Sequence, residues 1–156
     1  MKIKLVVISK TDADYLKEGL KVYLERLKHY VSLEYIELPA LKQAGKLTLA
    51  ELKNREGETL LKQMNSSCIL VLLDEKGKGY TSVGFSEFIQ QKMNSGVKTL
   101  VFAIGGAYGF SEEVYKRANF RIALSQLTFS HQMVRLFFVE QLYRAFTILK
   151  GEGYHH

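Results

Sequence analysis

The stretch VFAIGGAYGFSEE (residues 101–113) sets Gly105, Gly106 and Gly109 between an apolar run and a serine followed by two glutamates. Glycines in such a turn let backbone N–H and C=O groups approach a ligand where a side chain would collide. A dinucleotide site is the first chemistry to test, and the pattern fits it poorly. The spacing is G-G-x-x-G, it follows a late apolar run, and no acidic residue closes a strand about 20 residues on. A phosphate-cradling G-x-x-x-x-G-K-[ST] is absent too. Spacing alone leaves a structural turn and a ligand-binding turn level.

A second concentration of chemistry lies in HQMVRLFFVEQLYRAFTILK (131–150). His131 and Arg135 are four apart, as are Glu140 and Arg144, so each pair shares one helix face. Glu140 and Arg144 read as an ion pair. For Arg135 a functional reading gains weight, because a guanidinium on a largely buried helix needs an anion or a ligand. Met133, Leu136, Phe137, Phe138, Val139, Leu142, Phe146, Ile148 and Leu149 project around most of the circumference. Such a helix is buried on several sides, either in a crowded core or against a second copy of the chain.

These residues need elements to position them. Apolar runs of strand length occur at 2–8, 32–38, 68–73, 98–104 and 120–124. Between them lie helical patterns: Leu16, Leu20, Tyr23, Leu24 and Leu27 in the first, about 48–64 in the second, and a third after Thr81 or Ser82. Ser111 with Glu112 and Glu113 reads as an N-cap with an acidic first turn. The last helix is expected over about 131–150. Strand and helix in alternation predict a single α/β domain over 1–156 with a mostly parallel sheet flanked by helices. Gly57 falls inside the second helix, where close packing is its expected reason. The stretch PALKQAGK (39–46) is expected to be a loop.

A formal net charge of +6 favours an anionic partner. Lys17, Lys21 and Lys28 fall on nearly one face of the first helix, as a solvated face or an RNA-contacting one. The single cysteine, Cys68, sits in an apolar run and reads as a core residue in a reducing compartment. The opening MKIKLVVISK is too short in its apolar part for a signal peptide and reads as a strand. No stretch approaches the roughly 20 apolar residues of a membrane span, so a cytoplasmic location without a membrane partner is expected.

LLDEKGK, IGGAYGF, LSQLTFSHQMVRLFFVEQLYRAF, the final GEGYHH and REGETLL (55–61) together resemble the ribosomal RNA large subunit methyltransferase H family, small SPOUT-type enzymes. The likeness spans essentially the whole chain. It implies an α/β fold with a C-terminal trefoil knot, which pattern reasoning alone would reject. It also implies S-adenosylmethionine held in that knot by Leu73, Gly105 and the segment Leu124, Ser125, Gln126, Leu127, Thr128 and Phe129. On this reading Gly105 and Gly106 leave room for the cofactor and Gly109 makes the turn. The implied reaction is methylation at N3 of a pseudouridine in large-subunit ribosomal RNA within the assembled ribosome, by a homodimer joined through the C-terminal helix, with no DNA partner. The N3 proton needs an acceptor, for which His155 and His131 are candidates. Arg135 and Arg144 would stabilise developing charge or contact phosphate, and Tyr154 with His155 matches the family's C-terminal Tyr-His. Ser130 stands where relatives commonly carry proline, which is expected to loosen the turn into the last helix. Two alternatives to this enzyme are a nicotinamide- or flavin-binding α/β enzyme and a noncatalytic ribosome-binding protein on the same scaffold.

Overall fold

Apolar runs become the strands of one sheet in the computed structural model, which describes residues 1–156. They are β1 (Lys2–Ile8), β2 (Ser32–Leu38), β3 (Ile69–Gly79), β4 (Thr99–Ile104) and β5 (Phe120–Ala123). The order is β2-β1-β4-β3-β5, and every pairing is parallel. A parallel sheet is covered on both faces, which is why β1 and β4 are apolar almost without interruption. Ile3, Leu5 and Val7 enter a core with Leu20, Phe85, Phe88, Phe138 and Leu142; Val6 and Ile8 enter a second core with Leu60, Cys68, Phe110 and Val114.

Helices α1 (Asp14–Leu27), α3 (Ser82–Asn94) and α5 (Met133–Lys150) supply the first core, and α2 (Leu49–Leu61) and α4 (Glu112–Arg117) the second. The starts of α2, α3 and α4 are capped by side chains. Thr48 Oγ1 accepts the Glu51 N–H at 3.2 Å while Glu51 accepts the Thr48 N–H at 2.8 Å. Thr81 Oγ1 accepts the Gly84 N–H at 3.0 Å, and Ser111 Oγ accepts the Val114 N–H at 3.4 Å. Gly57 packs as expected: a Cβ there would lie 2.5 Å from Ser111 Oγ, so α2 meets α4 over bare backbone.

The structure departs from the expected elements in two places. β3 does not stop at Leu73 but runs to Gly79, with an irregularity between Leu73 and Lys78 before pairing with β5 resumes. Gly77 makes this possible, since a Cβ would lie 2.6 Å from the Ile122 nitrogen. The 39–46 loop holds a 3-10 turn at Ala44–Lys46.

Helix α5 packs between α1 and α3 and against the sheet. Phe138, Val139, Leu142, Ala145 and Phe146 are buried, so the crowded core accounts for most of its apolar surface. A remainder is left over: Phe137 is 41% exposed, with Met133, Leu136 and Ile148 half-buried. On α1, Lys17 pairs with Asp14 and Lys28 with Glu25 at 2.6 Å, while Lys21 and His29 are exposed. No helix is long and apolar enough to cross a membrane.

Candidate active site

In open α/β sheets ligands bind beyond the C-terminal ends of the strands. Here those ends enclose a cavity of about 600 Å³ walled by the end of β3, the glycine turn after β4 and the segment after β5. That volume suits a small organic ligand. Leu73, Gly105, Leu124, Ser125, Leu127, Thr128 and Phe129 all line it, as do His131 and Val134. Gln126 does not; it is exposed on the outer side of the same segment.

Packing and backbone conformation favour glycine at 105 and 109. A Cβ on Gly105 would lie 3.2 Å from the Gly109 carbonyl, and one on Gly106 would lie 2.8 Å from Glu56 Oε2. Gly109 has φ +82°, and its N–H donates to the Gly106 carbonyl at 3.1 Å, closing the turn. On Gly106 the Cβ direction faces Glu56, whose carboxyl is pushed above its ordinary pKa by burial. The cavity wall is the backbone that these glycines allow to fold so tightly.

Polar side chains tie the walls together. Asp74 accepts the Tyr115 hydroxyl at 2.6 Å and the Lys76 N–H at 2.8 Å. Burial and then that bond push the Tyr115 phenol up to about 12, so it remains a donor near neutral pH. Thr128 Oγ1 donates to Glu75 at 3.0 Å, joining the third wall to the first. Ser130, expected to loosen the turn into α5, instead caps it: its Oγ accepts the Met133 N–H at 3.0 Å. Tyr115, Glu75 and Glu56 carried no expected role, although Glu75 and Glu56 fall in LLDEKGK and REGETLL; their partners lie 41, 53 and 50 residues away in order. Asp74 closes the apolar run LVLLD.

His131 stands at the cavity edge, and its imidazole pKa is lowered by burial, then by Arg135, against an opposing pull from Asp12. A neutral imidazole can accept a proton. Arg135, one turn on, does not line the cavity. It is 0% exposed and spends its donors on the carbonyls of Ile8, Ser9 and His131 and on the hydroxyls of Thr11 and Ser9. The anion this buried cation needed is Glu37, 3.6 Å away.

The remaining expected residues form a separate cluster at the other end of α5. Arg144 Nη2 donates to Glu140 at 2.6 Å, and its guanidinium lies 4.7 Å from the Tyr154 ring. Tyr154 donates to Glu140 at 3.0 Å and meets the Tyr23 hydroxyl at 3.2 Å. Burial, followed by these two bonds, raises the Tyr154 pKa, and the bond to Glu140 raises that of Arg144. His155 Nδ1 lies 3.5 Å from Arg144. The terminal residues are therefore docked. Ten residues of helix separate Val134 at the cavity from Arg144, a rise of about 15 Å, so within one chain the two groups do not meet.

The chain matches, over residues 1–155, the family model described as predicted SPOUT methyltransferase. It is 57% identical over 156 residues to a protein of Christiangramia forsetii named ribosomal RNA large subunit methyltransferase H, covering all of this chain and 99% of that one. Proteins of the same name from Cytophaga hutchinsonii and Bacteroides thetaiotaomicron are 55% and 45% identical, each over the whole of this chain and 100% and 99% of their own.

Proposed function

The chain belongs to the SPOUT methyltransferase family, and from that membership we propose that it methylates N3 of a pseudouridine in large-subunit ribosomal RNA, using S-adenosylmethionine and acting on the assembled ribosome in the cytoplasm. The observation that carries this reading is the cavity at the ends of β3, β4 and β5, with the expected cofactor-loop residues on its three walls. Relatives bearing the ribosomal RNA methyltransferase name match this chain end to end.

The cavity suits this cofactor. Leu73, Ile104, Ile122 and Leu124 offer apolar walls for an adenine, and loop backbone offers amides and carbonyls for its edge. Asp74 and Glu75 offer carboxylates to a cationic ligand beside Lys53 and Lys76 on the same walls, and no phosphate-binding turn is called for. When bound, S-adenosylmethionine supplies a methyl group on a positively charged sulfur. The residues of this chain hold the partners in line and deal with the proton that N3 must lose. His131, whose imidazole pKa burial lowers, is the candidate acceptor on the cavity side, and His155 the candidate on the tail side. Arg144 offers a cation to developing negative charge or to phosphate.

The roughly 15 Å between cavity and tail is the reason to place both in a homodimer. A second copy laid along the half-exposed stripe of Met133, Phe137, Glu140, Arg144 and Ile148 would bring its tail cluster to the first copy's cavity. We also read the path from β5 through 124–131 into α5 as the family's trefoil knot; the bond from Thr128 to Glu75 across the ends of the strands supports this. Gln126 and Arg135 do not contact the cofactor in this reading.

The test uses ribosomes from a strain lacking the modification and methyl-labelled S-adenosylmethionine. Label mapped by nuclease digestion and mass spectrometry to one pseudouridine of the large-subunit RNA is the expected result. Label elsewhere would overturn the substrate, and bound cofactor without transfer would favour a noncatalytic role on the ribosome.

A further inference from the structure

A guanidinium has five N–H bonds, and each of those of Arg135 has an acceptor within the chain. Nε donates to the His131 carbonyl at 3.0 Å, Nη1 to the Ser9 carbonyl at 3.1 Å and Thr11 Oγ1 at 3.0 Å, and Nη2 to the Ile8 carbonyl at 2.7 Å and Ser9 Oγ at 3.4 Å. Nothing is left for a substrate oxygen or a phosphate. The acceptors come from two places only: the end of β1 with its following loop, and the turn that opens α5.

Both places are irregular. Ser9 has φ +69°, a left-handed conformation that a serine holds only when its surroundings impose it. His131 lies before the regular part of α5, which begins at Met133. Gln132 adds two bonds to the same seam, from its Nε2 to the Lys10 carbonyl at 3.0 Å and to its Oε1 from the Asp12 N–H at 3.0 Å. Glu37 then ties the seam to β2, accepting the Thr11 N–H as well as facing Arg135. His131 is the member of this seam that also lines the cavity with Val134.

We propose that Arg135 is a positioning residue: it locks the Ser9–Thr11 loop to the start of α5 and thereby sets His131 at the cavity edge. It acts through His131 and touches no reactant. This rests on reading the cavity as the methyl-donor site, in which a displacement of about 1 Å at a proton acceptor can cost about 100-fold in rate. Lysine at this position keeps the charge but is a point donor with three N–H bonds, so it cannot span both sides of the seam. Of the charged groups near His131, Asp12 faces it from the β1–α1 loop and Arg135 from α5, with Lys53, Asp74, Glu75 and Lys76 on the other cavity walls.

The experiment compares the full-length protein with Arg135→Lys and the milder Thr11→Val. For each, thermal melting, binding of S-adenosylhomocysteine by calorimetry, label transfer to ribosomes and the NMR titration of the His131 imidazole are measured. In folded Arg135→Lys, nucleoside binding is expected within about threefold of the parent, transfer reduced at least about tenfold, and the His131 resonances and titration midpoint displaced. Thr11→Val is expected to shift the same signals less, and decides the question if Arg135→Lys does not fold. Unchanged His131 signals and unchanged transfer in a folded variant would overturn the inference. So would transfer that falls only in step with lost folding or lost nucleoside binding. A parent that binds no S-adenosylhomocysteine would overturn the reading of the cavity instead, while the His131 titrations still test the seam.

Discussion

Arg135 and Arg144 stand nine residues apart on one helix, each four residues from a partner that suggested chemistry, and the fold treats them in opposite ways. Arg135 is fully buried, with five hydrogen bonds, all but one of them to residues 8–11. Arg144 has a side chain 25% exposed, bonded to Glu140 one turn back and lying against the Tyr154 ring. The first has no capacity left for a ligand, and the second keeps donors facing solvent. A shared residue type and a shared spacing thus conceal a structural cation and an available one. What separates them is whether the neighbouring backbone offers free carbonyls.

The strongest way to break this contrast is to remove each charge and compare. Arg135→Met leaves three carbonyls and two hydroxyls without its donors and Glu37 without its cation, and is expected to cost about 3–5 kcal/mol in urea unfolding. Arg144→Met is expected to cost under about 1 kcal/mol, because its pair is partly solvated and local. Equal losses would mean that burial is not what distinguishes the two ends. In methyl transfer to ribosomes the ranking inverts for the folded protein. Arg144→Met should lower the rate by about 100-fold with S-adenosylhomocysteine binding retained, and an unchanged rate would remove Arg144 from the reaction.

Tyr154→Phe sharpens the comparison on the tail side. It deletes the bonds to Glu140 and to the Tyr23 hydroxyl while keeping the ring under Arg144. A stability loss of about 1 kcal/mol is expected, with the loosened tail read as faster amide exchange beyond Gly151. Exchange as slow as in the parent would show that the ring, packed against Tyr143 at 4.8 Å between centroids and under Arg144, docks the tail without its hydroxyl.

How far the sequence foretold all this follows the same line. Strands β1, β2 and β4 were legible as apolar runs, and Thr81 and Ser111 as helix starts, because those signals are local. The extension of β3 was not, since its last residues are polar and exposed and the pairing depends on Gly77 fitting against Ile122. Seven of the eight expected cofactor residues line one cavity, and Gly105 and Gly109 also serve the turn's own closure. For Arg135 the deduction that a buried guanidinium needs an anion was sound. Its answer, Glu37 with carbonyls nearly 130 residues away in sequence, leaves no trace in side-chain types.

The smallest effect concerns His131 and has a definite sign. Burial, then Arg135, lowers its folded-state pKa below the ordinary histidine value, while Asp12 opposes them. Between the folded and unfolded values the unfolded chain binds more protons, so stability rises with pH there. The contribution is complete above the unfolded value of about 6.5 and is lost as pH falls toward the folded one. Urea midpoints measured from pH 7.5 down to 5 should therefore decline, and His131→Gln should decline less steeply. If both proteins give the same slope, the imidazole is free to reach solvent and is not held at the cavity edge. A shallower slope in His131→Gln, together with a proton-linked fall in transfer over the same range, would tie one imidazole, lowered first by burial and then by Arg135, to both stability and reaction.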